Sequence, residues 1–150
     1  MKKWMLSFAA VALTATALAA TAVTAADDPI KARKEILKGF SEATKPNAAA
    51  LKGEAPFNLA AAQAALKAYA DGTKKLPDLF PENSKTGGDT EALPVIWQNK
   101  QKFLDIFAKL GKDAAAAAAA IKDEATFKAE YPKVLGNCKA CHDDFRQKKS

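Results

Sequence analysis

The chain has 150 residues, 49% of them hydrophobic and 27% charged, with a formal net charge of +6. That length and balance fit one globular domain and exclude a disordered chain. Lysine and arginine alternate with acidic residues instead of lining one face, which marks a solvated helical surface and not a nucleic-acid-binding stripe. Residues 1–26 read as a cleaved secretory signal peptide. Lys2 and Lys3 form the positive start, residues 4–23 carry no charge, and Val23 to Ala26 offer small residues for cleavage after Ala25 or Ala26. The uncharged stretch is long enough to span a bilayer as an anchor, but its alanine and threonine content and its small-residue end favour cleavage. No later segment is apolar enough to cross a membrane, so residues 27–150 are expected as one domain in the periplasm.

The first helix is expected over 29–51, capped by Asp28, with Pro29 in its first turn and Pro46 kinking or shortening it. Ile30, Arg33, Leu37, Phe40 and Thr44 recur at three- and four-residue steps and make its inward stripe. After a connector with Gly53 and Pro56, a second helix spans 58–76 with Leu59, Ala62, Leu66, Tyr69 and Thr73 inward. Pro77, Pro81, Gly87 and Gly88 mark the longest loop. A third helix is expected to start at Pro94 and to run without a break through the alanine run 114–120. Asp123 caps a fourth, over 123–147, with Pro132 as a kink and Gly136 as a point of close approach. Four amphipathic helices of about 20 residues, with no strand signal, predict an all-α, antiparallel, up-down-up-down four-helix bundle.

Both cysteines and the one histidine of the chain fall in the run Cys138-Lys139-Ala140-Cys141-His142. C-x-x-C-H is the attachment signature of c-type haem: two thiols bond the porphyrin and the adjacent imidazole reaches iron. Residues three and four apart share a helix face, so Cys138, Cys141 and His142 address one flat ligand from one side. Three other readings compete. A vicinal disulfide would close too short a loop to stabilise a domain much. A thioredoxin-like pair belongs at a helix N-terminus after a strand. Zinc needs four ligands where the cluster offers three. Export favours haem c, one group held through two thioethers with His142 on the metal.

The second axial position decides the chemistry. The two methionines, Met1 and Met5, leave with the signal peptide, and no second histidine exists. No ordinary strong-field side chain remains, and with lysine, a tyrosinate or the new α-amine as the less favoured ligands, the iron is expected to be five-coordinate with His142 proximal.

The whole mature stretch resembles the class II c-type cytochromes, and within them cytochrome c′. The resemblance rests on C-K-A-C-H near the C-terminus followed by Phe145 and Arg146, on Gly53-Glu54-Ala55-Pro56-Phe57, and on Thr86-Gly87-Gly88-Asp89 followed by Pro94-Val95-Ile96-Trp97. It implies that Leu37 lies over the open face of the iron, where the low-spin branch carries a methionine ligand. It also implies that Arg33 stands near the haem propionates, with Thr86 as a weaker candidate for the same contact, and that Arg146 lies on the proximal face. Lys34 stands where many relatives have glutamine. Relatives often form dimers through the first two helices, and Ala60, Ala61 and Ala68 would permit close packing in a homodimer. The leading function is a periplasmic haem protein with one-electron redox that binds NO, with CO as a further ligand, because Leu37 offers bound O₂ no hydrogen bond. The alternative is a low-spin electron carrier between periplasmic redox partners. Peroxidase-like catalysis would need a distal acid–base group that the chain does not supply, and no enzymatic activity is expected.

Overall fold

A computed structural model describes residues 28–148; the expected signal peptide lies outside them. Asp28 accepts the Lys31 N–H at 2.9 Å and starts α1, Pro29–Leu51. The helix passes through Pro46 without shortening, and the carbonyl left unpaired belongs to exposed Glu42. It ends at Gly53, whose φ of +76° is the left-handed position that glycine adopts cheaply. There Glu54 N–H reaches Ala49 O at 2.9 Å and Gly53 N–H reaches Ala50 O at 3.1 Å, a Schellman closure. Asn58 caps α2, Leu59–Lys75, by accepting the Ala61 N–H at 2.9 Å. Two 3-10 turns, Leu76–Leu79 and Glu82–Ser84, follow in the long loop.

The expected continuous third helix is two. A single turn, α3 (Val95–Gln98), precedes α4 (Lys100–Ala120), with Asn99 between them at φ −117° and ψ 46°. The reason lies in the loop. The Trp97 indole N–H bonds the carbonyls of Phe80 and Pro81, both at 3.1 Å, and Lys100 Nζ bonds the Phe80 carbonyl at 3.0 Å. The turn at Asn99 brings both donors to the Phe80 carbonyl, and asparagine leaves helical geometry at low cost. Asp123 and Thr126 form a reciprocal capping box for α5, Glu124–Phe145, which runs through Pro132. This helix ends two residues before the expected 147. Arg146 is extended and bridges Ala92, and Gln147 N–H bonds Glu91 O at 2.8 Å, so the loop captures the chain.

α1, α2, α4 and α5 form an antiparallel up-down-up-down bundle. α2 packs on α1 and on α4, and α4 packs on α5, whereas α1 and α5 barely touch backbone to backbone. Phe103 anchors one end of the core, in edge-to-face contact with Phe80, Phe107 and Phe145 at 4.6, 4.8 and 5.2 Å between ring centres. At the other end lies a buried polar chain. Tyr131 and Tyr69 hydroxyls are 2.8 Å apart, Tyr69 and Thr44 are 2.6 Å apart, and Thr44 Oγ1 bonds the Phe40 carbonyl at 2.7 Å. Thr44 has one proton and gives it to that carbonyl, so Tyr69 donates to Thr44 and Tyr131 to Tyr69.

Candidate haem site

The C-x-x-C-H run occupies the last turns of α5, and side chains to either side of it fix how the helix sits. Asn137, buried, donates to Asp113 Oδ2 at 2.8 Å and to the Val134 carbonyl at 3.2 Å, tying α5 to α4. Phe145, 3% exposed, inserts against Phe103. Between these anchors Cys138 and Cys141 are free thiols, each half-buried, and His142 is exposed. Burial pushes both thiols up, Cys141 to about 11 with help from Cys138 and Asp144. They are therefore protonated near neutral pH, the opposite of a thioredoxin-like thiolate. Partial desolvation, then the Arg146 charge, lower the His142 pKa, while Glu91 and Asp143 pull it back. The ring is thus neutral near pH 7, as a metal-binding imidazole must be. Among the described residues no group of three or more His, Cys, Asp or Glu side chains is placed to hold a metal ion by itself.

The register of α1 against α5 follows from the polar chain. Thr44 and Tyr131, joined through Tyr69, lie at about one level of the antiparallel pair. Leu37 precedes Thr44 by seven residues and Cys138 follows Tyr131 by seven, so both lie about 10.5 Å from that level in the same direction. Seven residues is close to two turns, so Leu37 faces as Thr44 does and Cys138 as Tyr131 does. Leu37 on α1 and Cys138 on α5 thus stand at about the same level of the bundle. Leu37 exposes 37% of its surface, unlike Ile30, Arg33 and Phe40 of the same stripe. An apolar plate tethered to the α5 thiols fits these surroundings, because it would cover a leucine and two thiols that the polypeptide alone leaves partly in water. Gly136 on the outer side has no protein atom within 4 Å of an added Cβ, so nothing in the polypeptide itself requires glycine there.

The arginines differ in kind. Arg33 is 2% exposed, and among the described residues its guanidinium forms no salt bridge with a carboxylate. Its Nη1 donates to Leu79 O at 3.1 Å and Ser84 Oγ at 2.8 Å, and its Nη2 to Ser84 O at 3.0 Å and Thr90 Oγ1 at 2.7 Å. The guanidinium also stacks 4.5 Å over Phe80. Burial lowers its pKa and Asp28 raises it, and the group stays charged. Arg33 therefore holds the 79–90 loop on α1, with only its Nε–H left over. Thr86 is exposed and makes no side-chain hydrogen bond among the described residues; Thr90, four residues on, takes the place at Arg33. Lys34 reaches Asp89 O at 3.4 Å. Arg146 pairs with Glu91 through Nε at 2.6 Å and Nη2 at 2.5 Å, one turn from His142. Ser84, Thr90 and Glu91 carry no sequence signal, because their partners lie 51 to 57 residues away.

The family described as Cytochrome C' matches residues 28–146. Cytochrome c′ of Rhodopseudomonas palustris is 63% identical over 123 residues, 82% of this chain and 84% of that protein. Cytochrome c-556 of Agrobacterium fabrum is 37% identical over 121 residues, 80% of this chain and 82% of that protein. Among solved structures, cytochrome c′ from R. palustris superposes with a TM-score of 0.80 at 63% identity, covering 82% of this chain and 98% of that one. The NMR-validated structure of oxidised R. palustris cytochrome c556 gives 0.75 at 31% identity, covering 82% and 98%. Such agreement along nearly the whole bundle places the chain in the cytochrome c′ family of haem c electron-carrying proteins.

Proposed function

We propose that residues 27–150, released from a signal peptide at 1–26, form a periplasmic haem c protein with five-coordinate iron that transfers single electrons and binds NO, with CO as a further ligand. Cys138 and Cys141 hold one haem by thioether bonds and His142 supplies the proximal imidazole. When bound, the haem supplies one-electron redox at iron and an axial position for a diatomic ligand. Leu37 closes the far side: it excludes water, has no lone pair for iron, and offers no donor to a polar ligand. Asn137 and Phe145 hold α5 so that the thiols and imidazole share one face. On the propionate side, the donors that remain are the Arg33 Nε–H and Thr86, while the rest of Arg33 fixes the loop beside them. Arg146, pinned by Glu91, stands on the proximal side. A homodimer through α1 and α2 would cover exposed Leu59 beside Ala60, Ala61 and Ala68.

The observation that carries this reading is the ligand inventory. Residues 27–150 contain one histidine and no methionine, and the α1 residue at the level of Cys138 is Leu37, which carries no donor atom for iron. Titration of the reduced holoprotein with NO tests it: the absorption spectrum should shift with a single saturating transition, and an unresponsive spectrum would refute the assignment. The c-556 relatives favour a second reading, a low-spin electron carrier, which requires a second iron ligand that Leu37 cannot be.

A further inference from the structure

We propose that Thr44, Tyr69 and Tyr131 are positioning residues whose hydrogen-bonded chain sets the width of the α1–α5 slot, and so the ease with which a diatomic ligand passes Leu37. This rests on the placement of Leu37 and His142 proposed above. The backbones of α1 and α5 make few close approaches, which leaves a slot between them. What joins them is a chain of three hydroxyls that crosses the core through α2, with oxygen separations of 2.8 and 2.6 Å.

Two features make this chain a strut and not merely a satisfied core pair. Both phenols are fully buried, at 0% exposure, so neither hydroxyl can exchange its partner for water without opening the bundle. Its direction is also fixed, because Thr44 gives its proton to the Phe40 carbonyl. Each link therefore has one donor and one acceptor, and its length is held near the hydrogen-bond minimum. Apolar contact alone would let α1 slide or tilt. Leu37 and Cys138 stand the same two turns from the strut along stiff helices, so a change in helix separation at Thr44 and Tyr131 is felt where ligand would enter. Asn47 of α1, three residues beyond Thr44, also hydrogen-bonds the Tyr131 hydroxyl, so the strut from Tyr131 meets α1 at two neighbouring points.

The test is carbon monoxide association with the reduced holoprotein, followed by flash photolysis, in Tyr69→Phe, Tyr131→Phe and the double variant. Phenylalanine keeps the ring and removes only the link. Each variant should associate with CO about fivefold faster than the parent, the scale set by loss of one net hydrogen bond. The double variant should match Tyr131→Phe, because that substitution already removes both of the links from α5 to α1. Thr44→Val gives the same readout if a phenylalanine variant folds poorly. Unchanged or slower association in variants that retain haem and a cooperative melt overturns the proposal, as do rates that simply add. Leu37→Ala separates the two failures. If it speeds CO entry while the tyrosine variants do not, the strut is wrong and the placement of Leu37 stands. If it has no effect, the placement itself is wrong and the strut falls with it.

Discussion

Replacing Arg33 by methionine isolates the loop clamp. Methionine keeps much of the apolar stem that lies against Phe80 but removes all four of the hydrogen bonds that hold the loop. Ser84 Oγ still donates to Pro81 O at 2.9 Å, and Thr90 Oγ1 still accepts from Ala92 N–H at 3.2 Å. The carbonyls of Leu79 and Ser84 lose the partners that Arg33 gave them. An orphaned buried acceptor costs roughly 1–3 kcal/mol, and bonds to a charged donor are the stronger kind, so the loss should total about 3–5 kcal/mol. Guanidinium denaturation of the holoprotein, followed by far-ultraviolet circular dichroism, should show a lower midpoint at an unchanged slope. Hydrogen exchange should show the damage concentrated in 76–93. Arg33→Lys should recover only part of it, because an ammonium cannot present the planar fork. A loss below about 1 kcal/mol would refute the clamp, since a side chain whose main task was a solvent-facing propionate contact would cost little more.

Other expectations follow from the same geometry. A Cβ on Gly72 would lie 2.4 Å from Phe40 Cε1 and 2.9 Å from Ile36 Cγ2, so Gly72→Ala should cost about 1–3 kcal/mol, read as a lower thermal midpoint. Burial raises the pKa of Tyr69 and Tyr131 above the ordinary value of 10.0. The unfolded chain therefore ionises first: the phenols' contribution is complete below pH 10.0 and falls as pH rises beyond it. Stability measured between pH 9 and 11 should fall less steeply in Tyr131→Phe than in the parent. Cys138→Ala combined with Cys141→Ala should yield a chain that loses haem on purification and melts broadly, because cover for Leu37 and the α1–α5 gap is no longer tethered.

The features legible in sequence were those decided locally. Asp28 and Asp123 cap helices through atoms three residues away, and Gly53 stops α1 because few other residues take its positive φ. C-x-x-C-H is legible for the same reason, since its spacing is the geometry of the bond it forms. The break at Asn99 was hidden because the apolar period runs on from Ile96 to Phe103 unaltered; what interrupts it is the reach of Trp97 and Lys100 towards loop carbonyls more than 15 residues back. Arg33 looked like one charged residue in an apolar stripe, and its four acceptors lie 46 to 57 residues downstream. The early end of α5 has a similar cause, an edge pairing with 91–93 that no period announces. Leu37 is the instructive case: the pattern marks it as core, and the polypeptide alone leaves it half in water.

The central claim, iron held by His142 with Leu37 opposite, is tested most directly by electron paramagnetic resonance of the resting ferric holoprotein at neutral pH. The account predicts a high-spin signal that Leu37→Met converts towards low spin, with weaker NO binding. A low-spin signal in the parent protein, reporting a side chain on each axial position, would contradict it.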